Sequence, residues 1–458
     1  MISAKGEAQM RRTAKRAVQI SGMIPAALLL AGCMGAETGG DNAVTRFMQS
    51  GPSGKLVQDS EAQPRQTAMA KREAASGVIT TLQNRRSVLH PEGAYGRVAA
   101  AVMASSARTA EAELRGARLR AEAASKNWLP RIGPNISLNS LGEFVTSLLI
   151  EQVLFDNGRK KAERDYAAHD VELAAVALSE DSNNRVHDAL TLYLAAEEGR
   201  EKIDVADRSL KDMSHFEWIM NERVNGGVSD RSDLNIIRQK LAEIRAERDA
   251  AAGERKAAQA ELAAMAGRPL DGLSGVPAMD VNGRGAEPLS VLKAQAERDR
   301  TVAQVRIERA SHLPGLSASA SVTGNGVDYG AALKADQMLG LGTVSSLKAI
   351  EAAKEAAGRK VSQAKEDANR QIASLRERES ALAMQLVEAN KLARAAKRNL
   401  DLFQAQYKGG ARQVMDVVGV YETWAKQTQT ALRLKYDLAR VQIAIARDLG
   451  LLADGRDV

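Results

Sequence analysis

The chain has 458 residues, 44% hydrophobic and 26% charged, with a formal charge of +7. That balance excludes a disordered polyampholyte, and the single cysteine, Cys33, excludes a disulfide scaffold. Only 3 Trp, 7 Tyr and 5 Phe are present, too few rings for one compact core of this size, and no partnership with nucleic acid is expected, because residues 1–33 hold most of the positive surplus.

Arg11, Arg12, Lys15 and Arg16 precede an apolar stretch, Ile20 to Ala31, that is too short to span a membrane. It ends in Leu30-Ala31-Gly32-Cys33, so residues 1–33 read as a lipoprotein signal peptide with Cys33 as the acylated residue. Met10 is an alternative start. Acyl chains anchor at about 0.8 kcal/mol per buried methylene. Met34 in the next position carries no acidic retention signal, which points to the outer membrane. Residues 34–77, rich in Gly, Ser, Gln and Asp, read as a flexible spacer. No later stretch has 18 consecutive apolar residues.

A first unit, 78–267, follows. A helix leads to Trp128-Leu129-Pro130, and strands are expected at about 131–155, with Ile132, Pro134, Ile136 and Leu138 alternating with polar or small residues. Val145 to Phe155 is a more continuous apolar run, and Gly142 supplies a hairpin turn. A helical hairpin is expected over 157–267. The proline-free stretch from Gly158 to Asn225 amounts to roughly 100 Å of helix. After Gly226-Gly227, a heptad seam runs through Leu234, Ile237, Leu241, Ile244, Ala251, Ala258, Leu262 and Met265. Its alanines imply close helix approach.

Residues 268–287 read as a linker, 288–452 as a second unit and 453–458 as a C-terminal tail. Strands at about 316–339 place Leu316, Ala318, Ala320 and Val322 opposite in phase to Ser317, Ser319, Ser321 and Thr323, with a turn at Asn325-Gly326. A hairpin at 343–450 reverses at Gly409-Gly410 and continues through Val417, Val420, Trp424, Ala431, Leu434, Leu438, Val441 and Ile445.

The two units are copies. Trp128-Leu129-Pro130 and His312-Leu313-Pro314 lie 184 residues apart; Gly226-Gly227 and Gly409-Gly410, and Asp233 and Asp416, lie 183 apart. The four strands suit a transmembrane barrel with a wet lumen. Four strands cannot close a barrel, and open edges are not viable in lipid, so several chains must contribute.

This order of elements resembles the TolC family of outer-membrane efflux and secretion channels, over about residues 78–452. The resemblance rests on the duplication, on the two Leu-Pro landmarks, on Leu154-Phe155-Asp156-Asn157-Gly158-Arg159 and on Tyr407-Lys408-Gly409-Gly410-Ala411-Arg412 running to Asp416-Val417. It implies a mainly α chain with a small membrane β-barrel contribution: a homotrimer whose 12-stranded barrel continues into an α-helical tunnel. It also implies a periplasmic adaptor (membrane fusion protein) and an inner-membrane transporter as partners. Gly226, Gly227, Gly409 and Gly410 would then be the periplasmic, adaptor-contacting turns. Tyr407 and Arg412 would link to Ser232 or Asp233, within or between chains, and hold a gate shut, while Asp416 from three chains would form an acidic ring. Two departures stand out. Met338-Leu339-Gly340-Leu341-Gly342 replaces the second Phe-Asp-Asn-Gly landmark, and Gly419 replaces a second acid after Asp416.

No enzyme chemistry is indicated. His90, His169, His187, His215 and His312 have no metal-ligand spacing, no glycine-rich loop leads into Lys-Ser or Lys-Thr, and no cofactor is expected. The paired acids Glu197-Glu198 read as a solvated helical face. The expected function is a passive trimeric exit duct in the outer membrane, serving a tripartite efflux pump or a type I secretion system and gated at its periplasmic tip. The alternative is a lipid-anchored periplasmic coiled-coil structural or adaptor protein.

Overall fold

The structure is a computed structural model that describes residue 73 and residues 76–457, apart from 106–108, 139–143, 271, 282–284, 324–325 and 338–339. The signal peptide, Cys33, most of the spacer, the turn residues Gly142 and Asn325, and Met338-Leu339 lie outside the described residues.

Three short helices, α1 (Gly77–Gln83), α2 (Ala94–Ala104) and α3 (Thr109–Ser125), lead into β1 (Arg131–Leu138) and β2 (Phe144–Phe155). The hairpin α4 (Arg159–Asn225) and α5 (Arg231–Ala266) follows. The second copy runs α6 (Leu289–Ser311), β3 (Gly315–Thr323), β4 (Gly326–Lys334), α7 (Thr343–Lys408) and α8 (Val414–Asp448). Among the described residues no helix is long and apolar enough to cross a membrane.

The duplication extends to individual hydrogen bonds. Leu129 N–H donates to Lys126 O and Leu313 N–H to Ala310 O, so both Leu-Pro landmarks end a helix in the same turn. At the first hairpin tip Gly227 N–H donates to Val224 O and Val228 N–H to Arg223 O. At the second, Gly410 N–H donates to Tyr407 O and Ala411 N–H to Gln406 O. Each pair satisfies carbonyls that a helix end leaves free, and each needs a left-handed residue, Gly227 at φ 69° and Gly410 at φ 76°.

The strand-to-helix junctions differ. In the first copy Asn157 and Gly158 are both left-handed, and the Asp156 carboxylate accepts from the backbone N–H of Gly158 and Lys160. In the second copy the Thr343 hydroxyl accepts from Gly340 N–H at 2.9 Å, in the turn before the helix, and Gly342 is the N-cap without a side-chain bond. The missing Asp-Asn-Gly is therefore replaced by a different local turn, and α7 still starts at the matching place.

The seams hold with a shift. Leu234, Ile237, Leu241, Ala251, Ala258 and Leu262 are buried on α5, but Ile244 and Met265 are half-buried and Ala266 is buried instead. On α8, Val417, Ala431, Leu434, Val441 and Ile445 are buried, while Val420, Trp424 and Leu438 are half-buried. That helix buries a second face, with Tyr421, Tyr436, Ala439, Ile443 and Ala446, because it packs on α4 as well as α7.

One expectation needs correction. Glu197 and Glu198 are not solvated; they are 6% and 7% exposed. Glu197 accepts from Gly275 N–H at 2.8 Å and from Arg200, and Glu198 is held by Arg440 and by Lys202. Consecutive helical acids buried this way require pairing, and both are paired. The C-terminal tail after Leu452 is tied to the body. Gly455–Asp457 forms a 3-10 turn whose Gly455 N–H donates to Arg85 O. The buried Arg85 guanidinium donates to Leu449 O and Glu287 O, tying the first residues of the body to its last helix and to the linker.

Candidate functional site

Two regions carry functional geometry: the sheet and the hairpin tips. The sheet has the order β1-β2-β3-β4, antiparallel throughout, so the two copies join through β2 and β3. Directly paired residues share a face. One face runs Ile132–Ile150–Ala320–Tyr329 and Pro134–Leu148–Val322–Val327 across all four strands. Ala318–Ala331 and Leu316–Leu333 extend it. The opposite face runs Arg131–Glu151–Ser319–Gly330 and continues through Asn135–Ser147–Thr323 and Ser321–Asp328. A bulge between Val153 and Phe155 brings Phe155 onto the apolar face beside Leu316. Tyr329 is 83% exposed and Leu333 73%. Leu149, between Gly133 and Ser321, and Val153, opposite Ser317, are apolar exceptions on this second face, and Gln152, opposite Ala318, is a polar one on the first. A sheet with a mainly apolar and a mainly polar side and with unpaired edges at β1 and β4 is not a finished structure in water.

At the tips, α4, α5, α7 and α8 share one core of Met213, Phe216, Ile237, Leu400, Val417 and Tyr421, against which Tyr407 packs half-buried. The Arg412 guanidinium donates to Gln406 Oε1 at 3.1 Å and lies 4.4 Å from the Phe403 ring centre. From the turn it therefore folds back on the end of α7. Among the described residues it forms no ion pair with Asp233. Ser232 N–H donates to Asp230 Oδ1, the cap of α5. Asp416 accepts from Gln413 N–H at 3.2 Å and closes a capping box at the start of α8. This capping role was missed in the sequence, although the spacing of three residues from Gln413 signals it. Gly226, Gly227, Gly409 and Gly410 are exposed at the two reversals.

The sequence profile described as outer membrane efflux protein matches residues 100–268 and 286–451, and thus covers both copies and most of the chain. The chain belongs to the outer membrane efflux protein family. It is mostly helical with one small four-stranded sheet, the architecture of that family's channels. Three of the solved structures that share the fold illustrate it. A membrane protein from Pseudomonas aeruginosa is 15% identical with a TM-score of 0.69, over 83% of this chain and 94% of that one. The outer membrane protein VceC from Vibrio cholerae is 17% identical with a TM-score of 0.66, over 78% and 96%. The open state of the Neisseria gonorrhoeae MtrE outer membrane channel is 16% identical with a TM-score of 0.62, over 83% and 89%. No curated protein sequence matches the chain.

Proposed function

We propose that three copies of this chain form an outer-membrane exit duct of a tripartite efflux pump or type I secretion system. In this reading the duct is anchored through acylated Cys33 and docks at its hairpin tips with a periplasmic adaptor that joins it to an inner-membrane transporter. The observation that carries this reading is the sheet. Its four strands have one apolar side, one polar side and two free edges, and closure with two further copies gives 12 strands and removes every edge. A soluble coiled-coil spacer would have no use for that sheet.

The gate remains at the tips in this reading. With Arg412 held inside its own chain, a closing contact runs between chains, from Tyr407 or Arg412 to Ser232 or Asp233 of a neighbouring copy. Three Asp416 carboxylates near one axis attract cations. Single exposed links are weak, so closure depends on several acting together. The test is the purified protein from outer membranes. Heat-stable trimers that conduct ions in planar bilayers support the duct, and a monomeric rod without conductance refutes it. Arg412→Ser with Tyr407→Phe is expected to raise conductance several-fold while trimers persist. Unchanged conductance in assembled trimers would remove the gate assignment and leave the duct.

A further inference from the structure

The helical end of the sheet carries a charge arrangement that neither the fold nor the gate requires. A cleft of about 190 Å³ opens there, between the end of the sheet and the neighbouring helix termini, with Phe155 and Leu316 among its lining residues. That volume holds about six waters, or a small multivalent anion. Arg131, Arg159, Lys160 and Lys334 line it, with Glu151, Asp156 and Asp336.

Two of the three acids are already engaged. Asp156 uses both oxygens on backbone N–H groups, those of Gly158 at 3.1 Å and Lys160 at 2.5 Å. Asp336 is paired with the Arg159 guanidinium. Among the described residues Lys160 Nζ pairs with Glu163, at 3.8 Å, and that carboxylate also accepts from Arg159 and Asn127. Among the described residues Arg131 and Lys334 take part in no ion pair. Among the described residues of the cleft, Glu151 is thus the one acid whose carboxylate takes part in neither an ion pair nor a hydrogen bond, and it lies directly across the strand pair from Arg131.

The start of α4 adds to the field. Its first turn is Arg159-Lys160-Lys161, with no acid, at the helix end where negative charge is favoured. Three cations at a helix N-terminus oppose the dipole, a local conflict of the kind that marks function more often than stability. Burial, together with the charges of Arg131 and Arg159, holds Lys160 below the ordinary lysine pKa against the opposing pull of Glu163 and Asp156. The other acid described on the strands' polar face, Asp328, lies at the far, turn end.

We infer that Arg131, Lys160 and Lys334 form an anion-binding collar at the barrel-to-tunnel junction, which takes a soluble phosphate- or sulfate-bearing group on its way through the bore. The side of the sheet decides the source of the anion. Arg131 shares a face with Glu151 and Ser319, opposite to the apolar face, so a lipid headgroup on the outside does not reach it. The ring of three such clefts rests on the trimeric reading above; the single cleft does not. Arg131 lies on one edge strand and Lys334 on the other, both at the helical end, so closure sets the collars of neighbouring copies side by side.

Calorimetric titration of inorganic tripolyphosphate into the detergent-solubilised full chain tests this without needing a conducting channel. The wild type is expected to bind. Arg131→Gln with Lys334→Gln should weaken binding at least tenfold, and Arg359→Gln, remote on α7, should leave it unchanged. Glu151→Gln should tighten it several-fold, an outcome that a misfolded variant cannot mimic. No binding by the wild type, or equal affinity in the double variant, would overturn the collar. Binding that persists in a protein without conductance would sustain the collar and count against the duct.

Discussion

Asp416 shows how one side chain serves two scales. In the chain it is a helix cap, accepting Gln413 N–H; in the assembled channel its charge would line the bore. Asp416→Ala removes both, and losing the cap costs about 1 kcal/mol of stability. Asp416→Asn removes the charge but keeps an acceptor. Both variants should lose cation selectivity, whereas only alanine should lower the melting temperature; equal melting in both would refute the cap. A second residue-scale device lies beside the start of the body. His169 Nδ1 is 2.8 Å from Glu172, whose other oxygen accepts from Ser76, the cap of α1. That hydrogen bond raises the His169 pKa more than burial lowers it, and Glu172 is held low by His169 and Ser76 although burial alone would raise it. The signs fix the window. The raised histidine contributes stability in full below its unfolded value, near 6.5, and loses it as pH climbs through the higher folded value. The depressed glutamate contributes above its unfolded value, near 4.5, and fails as pH falls through the lower folded one. Denaturant midpoints should therefore fall as the pH rises above about 6.5 in the wild type, and fall less in His169→Ala. Parallel curves would show that the pair contributes nothing.

At the scale of elements, patterning predicted both heptad seams and all four strands, since period and turn residues are local. It failed where a helix has two neighbours. The second buried face of α8, with Tyr436 and Ile443, cannot be inferred from a rule for one seam, and Glu197-Glu198 looked solvated because their partners, Arg440 and Gly275, lie far away in sequence. The alanine-rich seam did signal close approach. At Gly199 of α4 an added Cβ would lie 2.9 Å from Arg255 Cβ and 3.1 Å from Ala251 O. The carbonyl belongs to α5's backbone and cannot swing aside. Gly199→Ala gains about 0.5–1 kcal/mol of helix propensity but should lose about 1–3 kcal/mol to overpacking, a net destabilisation. Gly253→Ala, with open space around its Cβ, should instead stabilise by the propensity term. If both variants shifted the melting temperature upwards, the close approach of α4 and α5 would be disproved.

At the scale of the whole molecule, the duplication was legible because glycine and proline positions repeat at a fixed offset, and the same residues repeat their hydrogen bonds. The pairing of β2 with β3 was not legible, since no local rule selects which hairpin edges meet. That pairing fixes the sides of the sheet. Ala320 sits between Ile150 and Tyr329 on the apolar face, while its neighbour Ser319 sits between Glu151 and Gly330 on the polar face. In a barrel closed by three copies, Ala320→Arg puts a charge into lipid, at a cost of about 2–4 kcal/mol per chain near the midplane. Ser319→Arg places the same side chain in water beside the Glu151 carboxylate and should be nearly neutral. Because each trimer carries three copies, the first variant should lose heat-stable trimers from outer membranes while the second keeps them, with its bore narrowed and conductance lowered. The helical body gives the control: both variants should retain the same helical circular dichroism in detergent, so that a difference in trimers reports on the sheet alone. Equal trimer yields from both variants would show that the apolar face does not meet lipid, and the barrel would have to be abandoned.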